Sequence, residues 1–243
     1  MTELNASAIS TSQAKATLSG RIYFARTYLQ AAALFAREAH AIETMSDENR
    51  RRELYPEYKS KVIAAVVMTA SSLEAFINEV FVDASERHLT RLTGLDAGAV
   101  DRLGRMWTGL AQLAKSGVRE KFDAALTLAE KPAIVYGAHP GQSVLVLLEL
   151  RNVLLHYKPQ TIKYERQIDY NEQITRLVAR LKYKFSDSPF YGANEPIFPD
   201  RCLGHGCAAW AVSSTRDFIN DFSSKLGIEP LPESLILETV NVK

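Results

Sequence analysis

The chain has 243 residues, 47% hydrophobic and 23% charged, with 12 Gly and 9 Pro. That composition excludes a disordered, collagenous or low-complexity polypeptide and leaves ample chain to bury a core. Lys and Arg number 29 against 28 Asp and Glu, a net charge of +1, which argues against a charge-driven coat for nucleic acid or membrane while leaving room for a local basic site. The two cysteines, Cys202 and Cys207, are too few for a disulfide-stapled secreted scaffold.

The most apolar stretches, Val62 to Val82 and Val144 to Leu155, carry Glu74, Asn78 and Glu79 in the first and Glu149, Arg151 and Asn152 in the second. A membrane-spanning helix needs roughly 20 mostly apolar residues without such groups, so neither reads as a span. The N-terminus has no basic region followed by an apolar one, so it does not read as a signal peptide. The expectation is a cytoplasmic protein that makes no membrane contact.

Residues 1–10 read as a flexible start. Ser10 with Gln13 fits a capping box, which predicts a first helix from about Thr11 to Thr44 through Ile22, Ala25, Tyr28, Leu29, Ala32, Leu34 and Phe35. Residues 46–53 form a charged connector. Pro56 suits a first turn, and a long helix from about Glu57 to His88 carries a stripe of Val62, Val66, Leu73, Phe76, Ile77 and Val80. Two shorter amphipathic helices are predicted over 97–130, then a loop over 132–141. An almost wholly apolar helix follows over 142–157, stopped by Pro159. A helix fits 170–184, a Pro- and Gly-rich loop fits 185–206, and a last helix over 207–225 is closed by Gly227. The tail from Glu233 has some strand character. Helical period dominates, so the expected architecture is an all-α bundle. It comprises one domain over 11–227 with an insertion at about 88–139 and a tail over 228–243.

The informative segment is Glu149-Leu150-Arg151-Asn152-Val153-Leu154-Leu155-His156-Tyr157-Lys158-Pro159. Polar groups inside an otherwise apolar helix are costly to bury unpaired, and a helix apolar all round meets more than one partner. One face therefore meets its own bundle, and another is free for a second copy of the chain. Asn152 and His156, four apart, share a face. Arg151 stands about 140° around and about 7.5 Å along the axis from His156, so one helix does not set them side by side. Two such helices crossing at a two-fold axis bring them together. At the end of the helix His156 meets the dipole's negative pole, which favours a positive imidazole, a group suited to proton transfer near neutral pH.

Arg151-Asn152-Val153-Leu154-Leu155-His156, an R-x4-H pattern with a polar residue straight after the Arg, resembles the signature of the HEPN domain family. Residues 71–79, Ser-Ser-Leu-Glu-Ala-Phe-Ile-Asn-Glu, are similar to the stretch many of its members carry before the motif helix. The closing helix around Trp210-Ala211-Val212 fits the family loosely. The resemblance covers roughly 57–225. It implies a HEPN-like helical bundle, a homodimer through the motif helix, and a metal-independent endoribonuclease that uses no cofactor. On this chain His156 would be the acid/base, Arg151 the phosphate clamp and Asn152 a polar auxiliary. The ribose supplies its own 2′-hydroxyl nucleophile, leaving a cyclic phosphate. Some members carry Tyr two residues after the His; here that position is Lys158, and Tyr157 directly follows His156. A toxin or anti-phage setting, with an antitoxin or regulatory partner, follows from the resemblance alone. A non-catalytic module binding a nucleotide or protein, and a purely structural helix pair with Arg151 on Glu74 or Glu149, are the alternatives.

Around the motif, residues 151–184 carry a net charge of +5 with Tyr157, Tyr164, Tyr170 and Tyr183 interleaved. That mixture suits single-stranded RNA through phosphate pairing and base stacking, and equally an exposed helix face with inward tyrosines. Lys158, Tyr157 and Glu74 are the candidate substrate-binding residues, Glu74 as a group lining the cleft or orienting Arg151. Cys202, His205 and Cys207 offer three ligands with spacing unlike a zinc finger, so no metal is expected. Phosphate-loop, dinucleotide-fold, hydrolase-elbow and zincin motifs do not occur.

Overall fold

The computed structural model describes residues 21–109, 111–159 and 170–231. Among them the chain is all-helical, with no strand: α1 (Ala25–Glu43), α2 (Glu48–Glu53), α3 (Tyr55–Ser85), α4 (Ala97–Gly109), α5 (Ala111–Lys115), α6 (Val118–Leu128), α7 (Gly141–Leu155), α8 (Glu172–Leu181) and α9 (His205–Leu226). The 31-residue α3 is the hub, packed against α1, α4, α6, α7 and α9. Its predicted stripe of Val62, Val66, Leu73, Phe76, Ile77 and Val80 is buried throughout, on the core side demanded by helical period.

The first helix starts later than the sequence predicts. Residues 21–24 are not helical and Ile22 is 83% exposed; the proposed Ser10–Gln13 cap lies outside the described residues. The physical reason sits on α3. Glu79 Oε1 accepts the backbone N–H groups of Phe24 and Ala25, each at 2.8 Å, so a carboxylate distant in sequence supplies the cap that no local side chain gives. Leu34, placed in the predicted stripe, is exposed, and Ala33 and Ala36 are buried instead. Residues 48–53, predicted as connector, form α2, capped by Asp47, which accepts Arg50 N–H at 3.0 Å.

The segment over 88–139 joins the main core. Phe122 of α6 packs edge-on against Phe218 and Phe222 of α9, and Trp107 of α4 stacks on Phe81 of α3. The apolar core runs without a break from Ala25 to Leu231. Gly227 ends α9 at φ +82°, the left-handed cap expected there. Against it lies Gly94, where any Cβ would overlap the Gly227 carbonyl.

By length and composition α3 alone among the described helices is apolar enough to cross a membrane, and half of that stretch is buried inside the bundle. Its polar groups are used internally: Glu79 caps α1, and Asn78 Oδ1 accepts from the buried Lys121 Nζ at 2.9 Å. The C-terminal tail from Glu233 lies outside the described residues.

Candidate functional site

The helix that carries the motif is built as the sequence requires. Val146, Leu147, Leu150 and Val153 point into the core, and α7 ends at Leu155. His156 is the residue that caps it, with φ −113° and ψ 34°, its backbone N–H on the Asn152 carbonyl at 3.0 Å. It therefore sits just past the helix rather than in its last turn, because Pro159 ahead denies further helical hydrogen bonds.

The outward face of α7 carries Leu145, Leu148, Asn152 and Leu155 at three- and four-residue steps. Leu145 and Leu148 are half-buried, Asn152 is exposed and Leu155 is 53% exposed. Arg151 flanks this face on one side and His156 on the other, as expected for residues about 140° apart. Arg151 is half-buried and His156 exposed. Among the described residues the side chains of Arg151, Asn152 and His156 make no hydrogen bond or ion pair. Glu149 is held by Arg180 of α8 and Glu74 lies by Lys121, so the structural pairing of Arg151 with Glu149 or Glu74 does not form.

Two adjoining hollows open here. One, of about 310 Å³, is lined by Asn152, Val153, His156 and Lys158 together with Asn171, Gln173 and Ile174 at the start of α8. The other, of about 490 Å³, is lined by Arg151, Arg119 and Arg180, by the carboxylates of Glu120 and Glu149, and by Leu145 and Leu148. Asn152 and Gln173 border both. Arg151 and His156 of one chain thus stand in neighbouring hollows.

The other sequence candidates divide. Lys158 lies beside His156 in the smaller hollow. Tyr157 is exposed, its ring 6.3 Å from that of Phe198. Glu74 is not part of either hollow. It emerges from α3 on another side, 3.8 Å from Lys121 Nζ, and borders a separate depression with Arg21, Phe24 and Tyr28. Its expected place beside Arg151 is therefore corrected. The direction in which Glu74 leaves α3 decides this, since Lys121 of α6 comes up against it. The interleaved tyrosines split as well. Tyr170 is turned inward, its hydroxyl donating to the Phe198 carbonyl at 2.8 Å, whereas Tyr183 is 90% exposed. Tyr164 lies outside the described residues.

Asn171 and Gln173 were absent from the sequence-derived site. Their signal was an Asn three residues before Ile174, a helix cap: Asn171 Oδ1 accepts Ile174 N–H at 3.0 Å. Only tertiary packing puts that cap beside His156. His139, without partners in the sequence pattern, meets Ser143 Oγ at 3.3 Å and Asp217 Oδ2 at 3.2 Å, tying the loop before α7 to α9.

Cys202 and Cys207 are both buried free thiols, and burial pushes the Cys207 thiol up to about 12. Such thiols are poor nucleophiles and poor ligands at neutral pH. His205 Nδ1 lies 3.0 Å from the Ala36 carbonyl, and burial lowers its basicity. His205 serves the junction of α1 and α9, where the Tyr58 hydroxyl and the His205 backbone N–H both donate to Glu43 Oε2, at 2.6 and 3.0 Å. Compared with known proteins, the chain matches no family model, no curated sequence and no solved structure.

Proposed function

We propose that this chain is a metal-independent endoribonuclease of HEPN type, acting as a homodimer on single-stranded RNA in the cytoplasm. The observation that carries this reading is the unpaired, solvent-reachable trio of Arg151, Asn152 and His156 beside an apolar face. A guanidinium left half-buried without an anion costs stability, and three exposed or half-exposed leucines on one helix face invite a partner.

A two-fold axis lying in the contact plane between two packed α7 faces, near Asn152 and running along the helices, sets each His156 on the flank occupied by the partner subunit's Arg151. The 140° separation that keeps the two groups apart on one helix thus joins them across two. In that composite cleft His156 takes the proton from the ribose 2′-hydroxyl. The 2′-oxygen bonds to phosphorus, the bond from phosphorus to the 5′-oxygen breaks, and the leaving oxygen takes that proton back from the His156 imidazolium. A 2′,3′-cyclic phosphate and a 5′-hydroxyl result. Arg151, permanently charged, stabilises the phosphorane, and Asn152 offers a hydrogen bond at the axis. A toxin or anti-phage role, with a protein that holds the enzyme in check, fits such an activity.

The test is incubation of the purified protein with RNA oligonucleotides in EDTA, with product ends identified by mass spectrometry. Cyclic phosphate ends, absent with Arg151→Ala or His156→Ala, support the reading. RNA binding without any cleavage would replace it with a non-catalytic module.

A further inference from the structure

The smaller hollow has three kinds of wall. It is lined by the buried apolar Val153 and Ile174, by the carboxamides of Asn152 and Gln173, and by His156 and Lys158. A flat heteroaromatic ring and its phosphate have matching needs: an apolar surface for the face, paired donors and acceptors for the edge, and hydrogen-bonding side chains at the phosphate. The volume, about 310 Å³, lies at the small end of the roughly 300–1,000 Å³ of ligand pockets, which suits one nucleotide and excludes a duplex. A third carboxamide, that of Asn171, has its oxygen committed to the α8 cap. Gln173, one of the next helical residues, is exposed and borders both hollows.

We propose that this hollow seats the base adjoining the cleaved phosphate and that Gln173 selects adenine there. The inference rests on the ribonuclease reading for its substrate and goes beyond it in naming the base and the residue. A carboxamide offers a donor and an acceptor side by side, which match the N6 amino group and N7 of adenine. A carboxylate at the same place accepts from the N4 amino group of cytosine instead. Gln173 is a specificity-determining residue here, with His156 and Arg151 doing the chemistry.

The experiment uses the full chain with four RNA oligonucleotides differing only at the base beside a single cleavable linkage. Four uncleavable 2′-O-methyl counterparts are used for binding. The expected result is a preference of about tenfold for adenine in both binding and cleavage. That preference is lost in Gln173→Ala and moved towards cytosine in Gln173→Glu, with the effect in KM rather than kcat. Cleavage with no base preference, or with the same preference in both variants, overturns the inference and leaves the ribonuclease reading standing. A Gln173-dependent adenine preference in binding with no cleavage overturns the ribonuclease reading and leaves the base site. Absence of all RNA binding overturns both.

Discussion

The carboxylate of Glu149 is taken by Arg180 of α8 rather than by Arg151 two residues further along its own helix. The pair ties α7 to α8 and engages that carboxylate. Arg151 therefore borders the larger hollow without an ion pair among the described residues, in a lining that also holds Arg119, Arg180, Glu120 and Glu149. The cost of holding it there is understandable if an anion arrives to meet it.

Replacing Arg151 or His156 by alanine should lower kcat/KM for RNA cleavage by at least about a hundredfold, the usual worth of an acid/base or phosphate-clamping group. Neither residue has a side-chain partner among the described residues, so stability should change by less than about 0.5 kcal/mol per site. Thermal melts run beside the kinetics separate lost chemistry from lost fold. A large fall in melting temperature in either variant would mean that the side chain holds the bundle together.

Glu79→Ala should cost about 1–2 kcal/mol in urea denaturation. It removes the acceptor of two backbone N–H groups at the start of α1 and of Arg91, whose Nη1 lies 3.0 Å away. Glu86→Ala is the control: its ion pair with Arg21 is at the surface, where such pairs add little. Equal midpoints for the two variants would contradict the capping role.

Much of this was readable in the sequence, and the unreadable part has a common cause. The α7 run and its stop at Pro159, the α3 stripe and the Gly227 cap are local patterns, and the structure follows them. The start of α1 is not legible there, because its cap comes from Glu79 on another helix. Glu74 stands by Lys121 and not by Arg151, because periodicity gives the face of a helix but not which neighbour meets it. Asn171 and Gln173 reach His156 only through the packing of α8 on α7. No spacing rule records that contact.

Gly94→Ala should destabilise the fold by about 1–3 kcal/mol, since the added Cβ overlaps the Gly227 carbonyl and backbone must move. Gly137→Ala, with open space around the glycine, should be close to neutral. Urea midpoints of the two variants decide the matter, and equal values would contradict the close approach of the chain at Gly94.

Stability should fall as pH drops below about 6.5, the unfolded value for histidine. Burial lowers the folded-state basicity of His205, so the unfolded chain binds the extra proton first and acid favours unfolding. The contribution is complete above the unfolded value and is lost progressively below it. His205→Gln should flatten the profile between about pH 5.5 and 7, measured as urea midpoints across that range. An unchanged slope would show that other groups set it.

The most direct measurement mixes two inactive proteins. Arg151→Ala and His156→Ala chains are combined, allowed to exchange subunits, and assayed on RNA. With a site shared across a two-fold axis, about half of the dimers are mixed. In each of these, one of two sites has an intact His156 facing the partner subunit's intact Arg151, so about a quarter of wild-type activity returns. If the mixture stays as inactive as its components while both chains dimerise, the two residues do not meet across an interface, and the composite site is wrong.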